Sequence, residues 1–250
     1  AKTDFISIAA HELKTPLTVV QGYIDMLVES AGPERNAQLL DRIAGGTARL
    51  AAIVNDLLDV SAIETGSLDV RFEPVMVDSI VKLLLDQKTA ATQSRRLTLR
   101  AELEPELPVI YSDPRRLHQI LERLAGNAIK YTPDGGTITI TAGLESGGGD
   151  DAPWVKLEVA DTGIGIAPED RDHIFDKFYR VGQTELHSTG RVKFKGAGPG
   201  LGLSIAKGIV EALNGQLWVE SPGYDEVNCP GSTFYLRLPA GEPPDDAPSS

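Results

Sequence analysis

Few features of this chain point to thiol, membrane or nucleic-acid chemistry. It has one cysteine, Cys229, which excludes an internal disulfide and a cysteine-built metal cluster and suits a reducing cytoplasm. No run approaches the roughly eighteen consecutive apolar residues of a membrane span, and the start does not read as a signal peptide. The expectation is a cytoplasmic piece with no membrane contact of its own. Basic residues are also scarce: 24 Lys and Arg stand against 36 Asp and Glu, a formal net charge of -12. Without a basic stripe to displace counterions, the chain is not expected to bind nucleic acid. A phosphate ligand would need local positive charge, for which Lys130, Arg180, Arg191, Lys193 and Lys195 are candidates.

What is present is an ordinary globular composition, 41% hydrophobic and 24% charged over 250 residues, enough for one or two domains. In the first segment, Ile6, Ala10, Leu13, Leu17, Val20, Ile24 and Leu27 step by four and three, as in a helix packed on partner helices. This predicts a helix from about residue 2 to 30. A break at Ser30-Ala31-Gly32-Pro33 precedes a second helix from about Glu34 to Glu64, with a seam at Leu39, Ile43, Gly46, Leu50, Ile53, Leu57 and Val60. One hairpin cannot bury two such seams fully, so dimerisation into a four-helix bundle follows; packing of the seams on the downstream domain is the alternative. His11, Glu12 and Thr15 fall off the stripe and are expected to project outward, with His11 and Thr15 one turn apart. Pro16 removes the hydrogen bond to the Glu12 carbonyl and predicts a kink below His11.

Thr65-Gly66-Ser67 ends the second helix, and from about Arg71 short strands mix with helices. Helices are expected over 75–95, over 114–131 with Asp113 as cap, and over 200–213. Strands are expected over 97–102, 109–111, 137–144, 154–160, 216–221 and 233–238, with Gly147-Gly148-Gly149 in a hairpin loop. Five or more strands with helices on one face make an α/β two-layer sandwich. The domains are therefore 1–66, 67–240 and a tail, 241–250, whose Pro, Asp and Ser content reads as disordered.

Four groups in the second domain carry chemistry. Asn127, Lys130 and Tyr131 share a helix face, offering a carboxamide oxygen for a hard cation, an ammonium for phosphate and a phenol. Asp161-Thr162-Gly163-Ile164-Gly165 follows a strand; its glycines let backbone approach a flat ligand, and Asp161 can accept from an exocyclic amine. Ile174 to Arg180 brings aromatics and an arginine that can reach phosphate. Gly198-Pro199-Gly200-Leu201-Gly202 opens a helix and presents free amides and the positive dipole end to an anion. It is neither a Walker loop nor a dinucleotide fingerprint, whose spacings differ. Singly, these are also what a solvated helix end, a strand-ending turn or a packed core would show.

Taken in order, residues 5–20 resemble the phosphoacceptor box of sensor histidine kinases, and the four later groups resemble the asparagine, first glycine, phenylalanine and second glycine boxes of their ATP-binding domain. The resemblance spans roughly residues 2–240. It implies a Bergerat-type ATP-binding sandwich with a lid over about 167–197. His11 would take the γ-phosphoryl group of ATP, with Glu12 orienting it or accepting its proton. Thr15 would orient water for the reverse phosphatase reaction. Asn127 would ligate Mg²⁺, and Lys130, Tyr131 and Arg180 would contact phosphates. Asp161 would bind adenine, while Gly163, Gly165, Gly198, Gly200, Leu201 and Gly202 would shape the nucleotide site. A homodimer, a response-regulator receiver domain as phosphoacceptor, and a sensory region upstream are implied as well.

Two departures from the family pattern stand out. Arg123 occupies the place of a second asparagine, one turn before Asn127; unable to ligate Mg²⁺, it either contacts phosphate or the lid, or pairs with a carboxylate. The lid is long and basic over 183–195, contains His187, and ends in Gly-Ala-Gly-Pro. Two competing classes are another ATPase on the same nucleotide fold, of chaperone, topoisomerase or mismatch-repair type, and a nucleotide-sensing scaffold without turnover. The first 65 residues argue against the former.

Overall fold

A computed structural model describes residues 2–29, 32–146, 153–179, 181 and 200–241. The chain divides into two compact units, Ala1–Gly66 and Ser67–Ser250.

The first unit is a hairpin of α1 (Lys2–Val28) and α2 (Pro33–Glu64). Gly32, with a positive φ, precedes Pro33 at the first helical position, where its missing N–H costs nothing. Residues 30 and 31 of the expected break lie outside the described residues. α1 runs unbroken through Pro16, whose ring is buried. Packing within the hairpin uses Ala9, Pro16 and Val20 of α1 against Leu39, Ile53 and Val60 of α2. Gly46 lets the helices approach, since a Cβ there would clash with the side chain of Val20.

Part of the seam expected on α1 stays open in the single hairpin. Ala10 is exposed, and Leu17 and Ile24 keep 46% and 44% of their surface open, as do Val54 at 44% and Leu58 at 62% on α2. The hairpin therefore retains an apolar face that its own two helices do not cover.

The second unit starts with a strand the sequence did not suggest. β1 (Glu73–Val75) pairs antiparallel with β3 (Ile110–Ser112), so the helix expected from Val75 begins later, as α3 (Val77–Ser94). A three-residue strand carrying Pro74 has too little period to be read from sequence. β2 (Thr98–Leu103), β4 (Thr137–Glu145), β5 (Trp154–Asp161), β6 (Gln216–Glu220) and β7 (Ser232–Pro239) form one sheet in the order β2-β4-β5-β7-β6. Only β2 and β4 are parallel.

Alternation decides which face is covered. Ile138, Ile140 and Ala142 of β4, Val155, Leu157 and Val159 of β5, and Phe234, Leu236 and Leu238 of β7 are buried, while the residues between them are not. α3, α4 (Pro114–Tyr131) and α5 (Gly202–Ala212) supply the other layer. α4 is capped by Asp113, which accepts from the N–H groups of Arg115 and Arg116 at 2.9 and 3.1 Å. Its core face is Leu117, Ile120, Leu121, Leu124, Ala125, Ala128 and Ile129. That stripe leaves Arg123, Asn127 and Lys130 together on its half-buried flank.

Candidate functional site

His11 and Thr15 are exposed on α1. The Thr15 hydroxyl donates to the His11 backbone carbonyl at 3.2 Å, so in this conformation it serves the helix backbone. Glu12 departs from the outward expectation: it is half-buried.

In the second unit, the chain after β5 is held against the end of α4. The N–H of Ile164 donates to the Tyr131 carbonyl at 3.2 Å, and the N–H of Thr162 to the Thr137 carbonyl at 3.0 Å. The Thr162 hydroxyl in turn accepts from the N–H of Thr137. From the other side, Gly231 donates to the Gly163 carbonyl, Asp225 to the Ile164 carbonyl, and Ile166 to the Ser221 hydroxyl. Asn127, Lys130, Tyr131 and the Asp161–Gly165 turn are thus one construction. The Lys130 ammonium lies 4.6 Å from the Tyr131 ring centroid.

Two glycines of the turn are required by space. A Cβ on Gly163 would stand 2.5 Å from Asp161 Oδ1 and 2.6 Å from the Tyr131 carbonyl oxygen. Gly165 has φ +74° and a Cβ there would meet the Gly223 carbonyl oxygen at 1.9 Å. Asp161 is the electrostatically unusual residue. Burial pushes its carboxyl up to about 6, against the opposing pull of the N–H groups of Gly163 and Ser232. A buried acceptor of this kind suits a neutral hydrogen-bond donor such as an exocyclic amine.

The aromatic segment and the second glycine turn meet. Phe178 N–H donates to the Gly200 carbonyl at 3.0 Å, and a Cβ on Gly200 would press on the backbone of Phe178 and Tyr179. Gly200 has φ +73°, a conformation outside the helical basin, which is why α5 starts at Gly202 and not at Gly200 as expected. Leu201, grouped with the ligand-shaping glycines, has a fully buried side chain, so only its backbone can face a ligand. Among the described residues neither a side-chain cap nor an acidic residue occupies the first turn of α5, a helix start of the kind that can face an anion. Tyr179 donates to Asp170 at 2.6 Å, and His173 pairs with Asp176 at 2.9 Å, which fixes the start of the expected lid. Arg180, His187, Arg191, Lys193, Lys195, Gly198 and Pro199 lie outside the described residues.

Sequence reasoning missed Arg95. Its buried guanidinium donates to the carbonyls of Ile129 and Thr132 and to Asp134, closing the C-terminal end of α4 directly behind Asn127, Lys130 and Tyr131. Arg95-Arg96 in the sequence looks like an exposed basic pair, and only the tertiary pairing separates the two. Among the described residues no group of His, Cys, Asp and Glu is placed to hold a metal. A cation at this site would take the Asn127 oxygen together with nucleotide phosphates and water, the donor set that suits Mg²⁺.

Comparison with known proteins agrees with this arrangement. The His Kinase A (phospho-acceptor) domain model matches residues 1–66, and the histidine kinase-, DNA gyrase B- and HSP90-like ATPase model matches residues 112–242. The chain is 33% identical over 245 residues to the sensor protein DivL of Caulobacter vibrioides, covering 97% of this chain and 29% of DivL. It is 28% identical over 247 residues to the sensor histidine kinase WalK of Bacillus subtilis, covering 98% of this chain and 38% of WalK. Among solved structures, the Acinetobacter baumannii histidine kinase AdeS aligns with a TM-score of 0.67 and 25% identity over 93% of this chain and 98% of that one. Full-length ShkA in complex with AMPPNP aligns at 0.66 and 25% identity, covering 94% of this chain and 45% of ShkA. A phosphoacceptor hairpin followed by this ATPase sandwich defines a sensor histidine kinase, and the chain belongs to that family. It spans 29% and 38% of the length of the two curated relatives.

Proposed function

We propose that this chain phosphorylates itself on His11 from ATP and passes the phosphoryl group to an aspartate of a response-regulator receiver domain. The observation that carries the reading is an exposed imidazole on the phosphoacceptor hairpin, in the same chain as a site with a buried carboxyl acceptor, Asp161, and an uncapped helix N-terminus at α5. The hairpin, residues 1–66, is assigned dimerisation and phosphotransfer, and residues 67–240 nucleotide binding.

In the forward step a ring nitrogen of His11 attacks the γ-phosphorus in line; the N–P bond forms, the bond to the β,γ-bridging oxygen breaks, and ADP leaves. The nucleophilic nitrogen carries a lone pair, and the ring proton passes to Glu12 or to water. Asp161 accepts from the adenine amine, Lys130, Tyr131 and Arg180 contact phosphates, and the amides at Gly200 and Gly202 face the same anion. Gly163, Gly165 and Gly198 shape the backbone around the nucleotide. Asn127 would hold Mg²⁺, which supplies charge neutralisation on the phosphates.

Thr15 is assigned to the reverse reaction, where its hydroxyl, freed from the His11 carbonyl, orients water for regulator dephosphorylation. Thr15→Ala sparing autophosphorylation and lowering dephosphorylation is the expected result. The exposed apolar face at Leu17, Ile24, Val54 and Leu58 is assigned to a second copy of the chain. AdeS and WalK are named histidine kinases, and the ShkA complex carries an ATP analogue; both facts support the reading. The test is incubation with γ-labelled ATP. Acid-labile, alkali-stable label that vanishes in His11→Gln is expected, and label that survives the substitution refutes it.

A further inference from the structure

We propose that Ser221 is a positioning residue for nucleotide selection: its hydroxyl fixes the peptide group that holds the Asp161 carboxylate, and so sets how strongly the site prefers adenine over a base without the exocyclic amine. The proposal rests on the ATP reading above, in which Asp161 accepts from that amine.

Asp161 is not placed by β5 alone. Its carboxylate accepts from two backbone N–H groups, that of Gly163 at 2.8 Å and that of Ser232, the residue opposite it in the register of β7. The first donor belongs to the turn itself. The second is reached only through the connection between β6 and β7, residues 221–231, so the direction of the carboxylate depends on how that connection is held. Gly231 donates to the Gly163 carbonyl at 2.9 Å, and Asp225 to the Ile164 carbonyl at 2.8 Å. Gly231 has φ +78°, and a Cβ there would strike the Asp161 carbonyl oxygen, so the two backbones are in direct contact.

Ser221 closes this arrangement with a side chain. It is 6% exposed, and its hydroxyl accepts from the Ile166 N–H at 2.9 Å and lies 2.7 Å from the Gly231 carbonyl oxygen and 3.2 Å from that of Gly223. A hydroxyl has one proton to give, and the shorter contact, to Gly231, takes it. The Gly231 carbonyl and the Ser232 N–H are two ends of one planar peptide group, pointing in opposite directions. A relay of hydrogen bonds therefore runs from the Ile166 N–H through the Ser221 hydroxyl and this peptide to the Asp161 carboxylate.

The relay does two things for the base. It fixes the plane of the 231–232 peptide and with it the side from which Asp161 is held, and each bond polarises the next, which strengthens the Ser232 donor. Alanine at 221 would leave the Ile166 N–H and the Gly231 carbonyl without this partner and free that peptide to turn. The group released is one that Asp161 leans on, so the loss falls on recognition of the amine.

The test is equilibrium binding by calorimetry of ATP and of ITP, in which a carbonyl oxygen replaces the amine. The proteins are the wild type, Ser221→Ala, Ser221→Cys, Ser221→Thr, Asp161→Asn and the double variant Ser221→Ala with Asp161→Asn. The wild type is expected to prefer ATP, because the ITP carbonyl leaves the Asp161 acceptor unpaired. Ser221→Ala should lower the ratio of ATP to ITP affinity by about three- to tenfold, the range for one net hydrogen bond. Ser221→Thr keeps the hydroxyl and should keep the ratio. Ser221→Cys, a weaker donor of similar size, should fall between, and it carries the measurement if alanine does not fold. With Asp161→Asn in place, Ser221→Ala should leave the ratio where it is, since both act through one contact. A ratio unchanged in Ser221→Ala and Ser221→Cys, with ATP and ITP weakened alike, marks a merely structural hydroxyl and overturns the proposal. So does a fall of equal size in the Asp161→Asn background, or one as large in Ser221→Thr as in Ser221→Ala. A wild type that binds ATP and ITP equally overturns the adenine reading of Asp161 itself, and does so before any variant is compared.

Discussion

Replacing Asp161 with asparagine should stabilise the ATP-binding unit while removing its pH response to nucleotide. Burial raises this carboxyl from 3.8 to about 6. At about 1.4 kcal/mol per pH unit, holding it ionised costs on the order of 3 kcal/mol at neutral pH. The raised value fixes the sign: the favourable contribution of the neutral acid is complete below pH 3.8 and is lost as pH rises through 6. Asparagine cannot ionise, and its carbonyl can still accept the 2.8 Å bond from Gly163 N–H. After discounting for imperfect accommodation, a gain of about 1–2 kcal/mol is expected, roughly 2–8 °C in the calorimetric melt of this unit. Nucleotide binding runs the other way. The adenine amine is a donor and requires the carboxylate, so wild-type affinity should fall about tenfold from pH 7 to pH 5. Asp161→Asn should bind more weakly and with little pH dependence between those limits. A flat wild-type profile, or an asparagine variant with the same slope as wild type, would refute the argument.

Other substitutions test the scaffold. Gly165→Ala forces a side chain into a positive φ and onto the Gly223 carbonyl, and should lower stability by about 2–4 kcal/mol, read by chemical denaturation. Arg95→Met strips donors from the Ile129 and Thr132 carbonyls; a loss of about 2–4 kcal/mol is expected, with weaker nucleotide binding because the end of α4 is released. Leu58→Glu on the uncovered hairpin face should yield monomer by light scattering with helix content unchanged by circular dichroism.

Elements with a strong period or a distinctive terminus were legible in the sequence. α4 announces itself by Asp113 and Pro114 at its start and by an unbroken apolar stripe, and β4, β5 and β7 by alternation. The candidate site was legible because its residues cluster at element ends, where Asp161, Gly163 and Gly165 have few other reasons to occur together. What sequence could not reveal depends on partners distant along the chain. β1 exists because β3 pairs with it, and Arg95 is buried because the end of α4 comes to it. The two apolar faces of α1 differ by one residue in register, and only the position of α2 decides which of them the hairpin uses.

The uncovered face of the sheet has a spectroscopic consequence. Both tryptophans of the chain, Trp154 and Trp218, lie there, stacked or capped by Tyr235 and Arg237, and the hairpin has none. Trp154 is at the opposite end of β5 from Asp161. Intrinsic tryptophan emission therefore originates in the ATP-binding unit alone and can follow its melting without any introduced label.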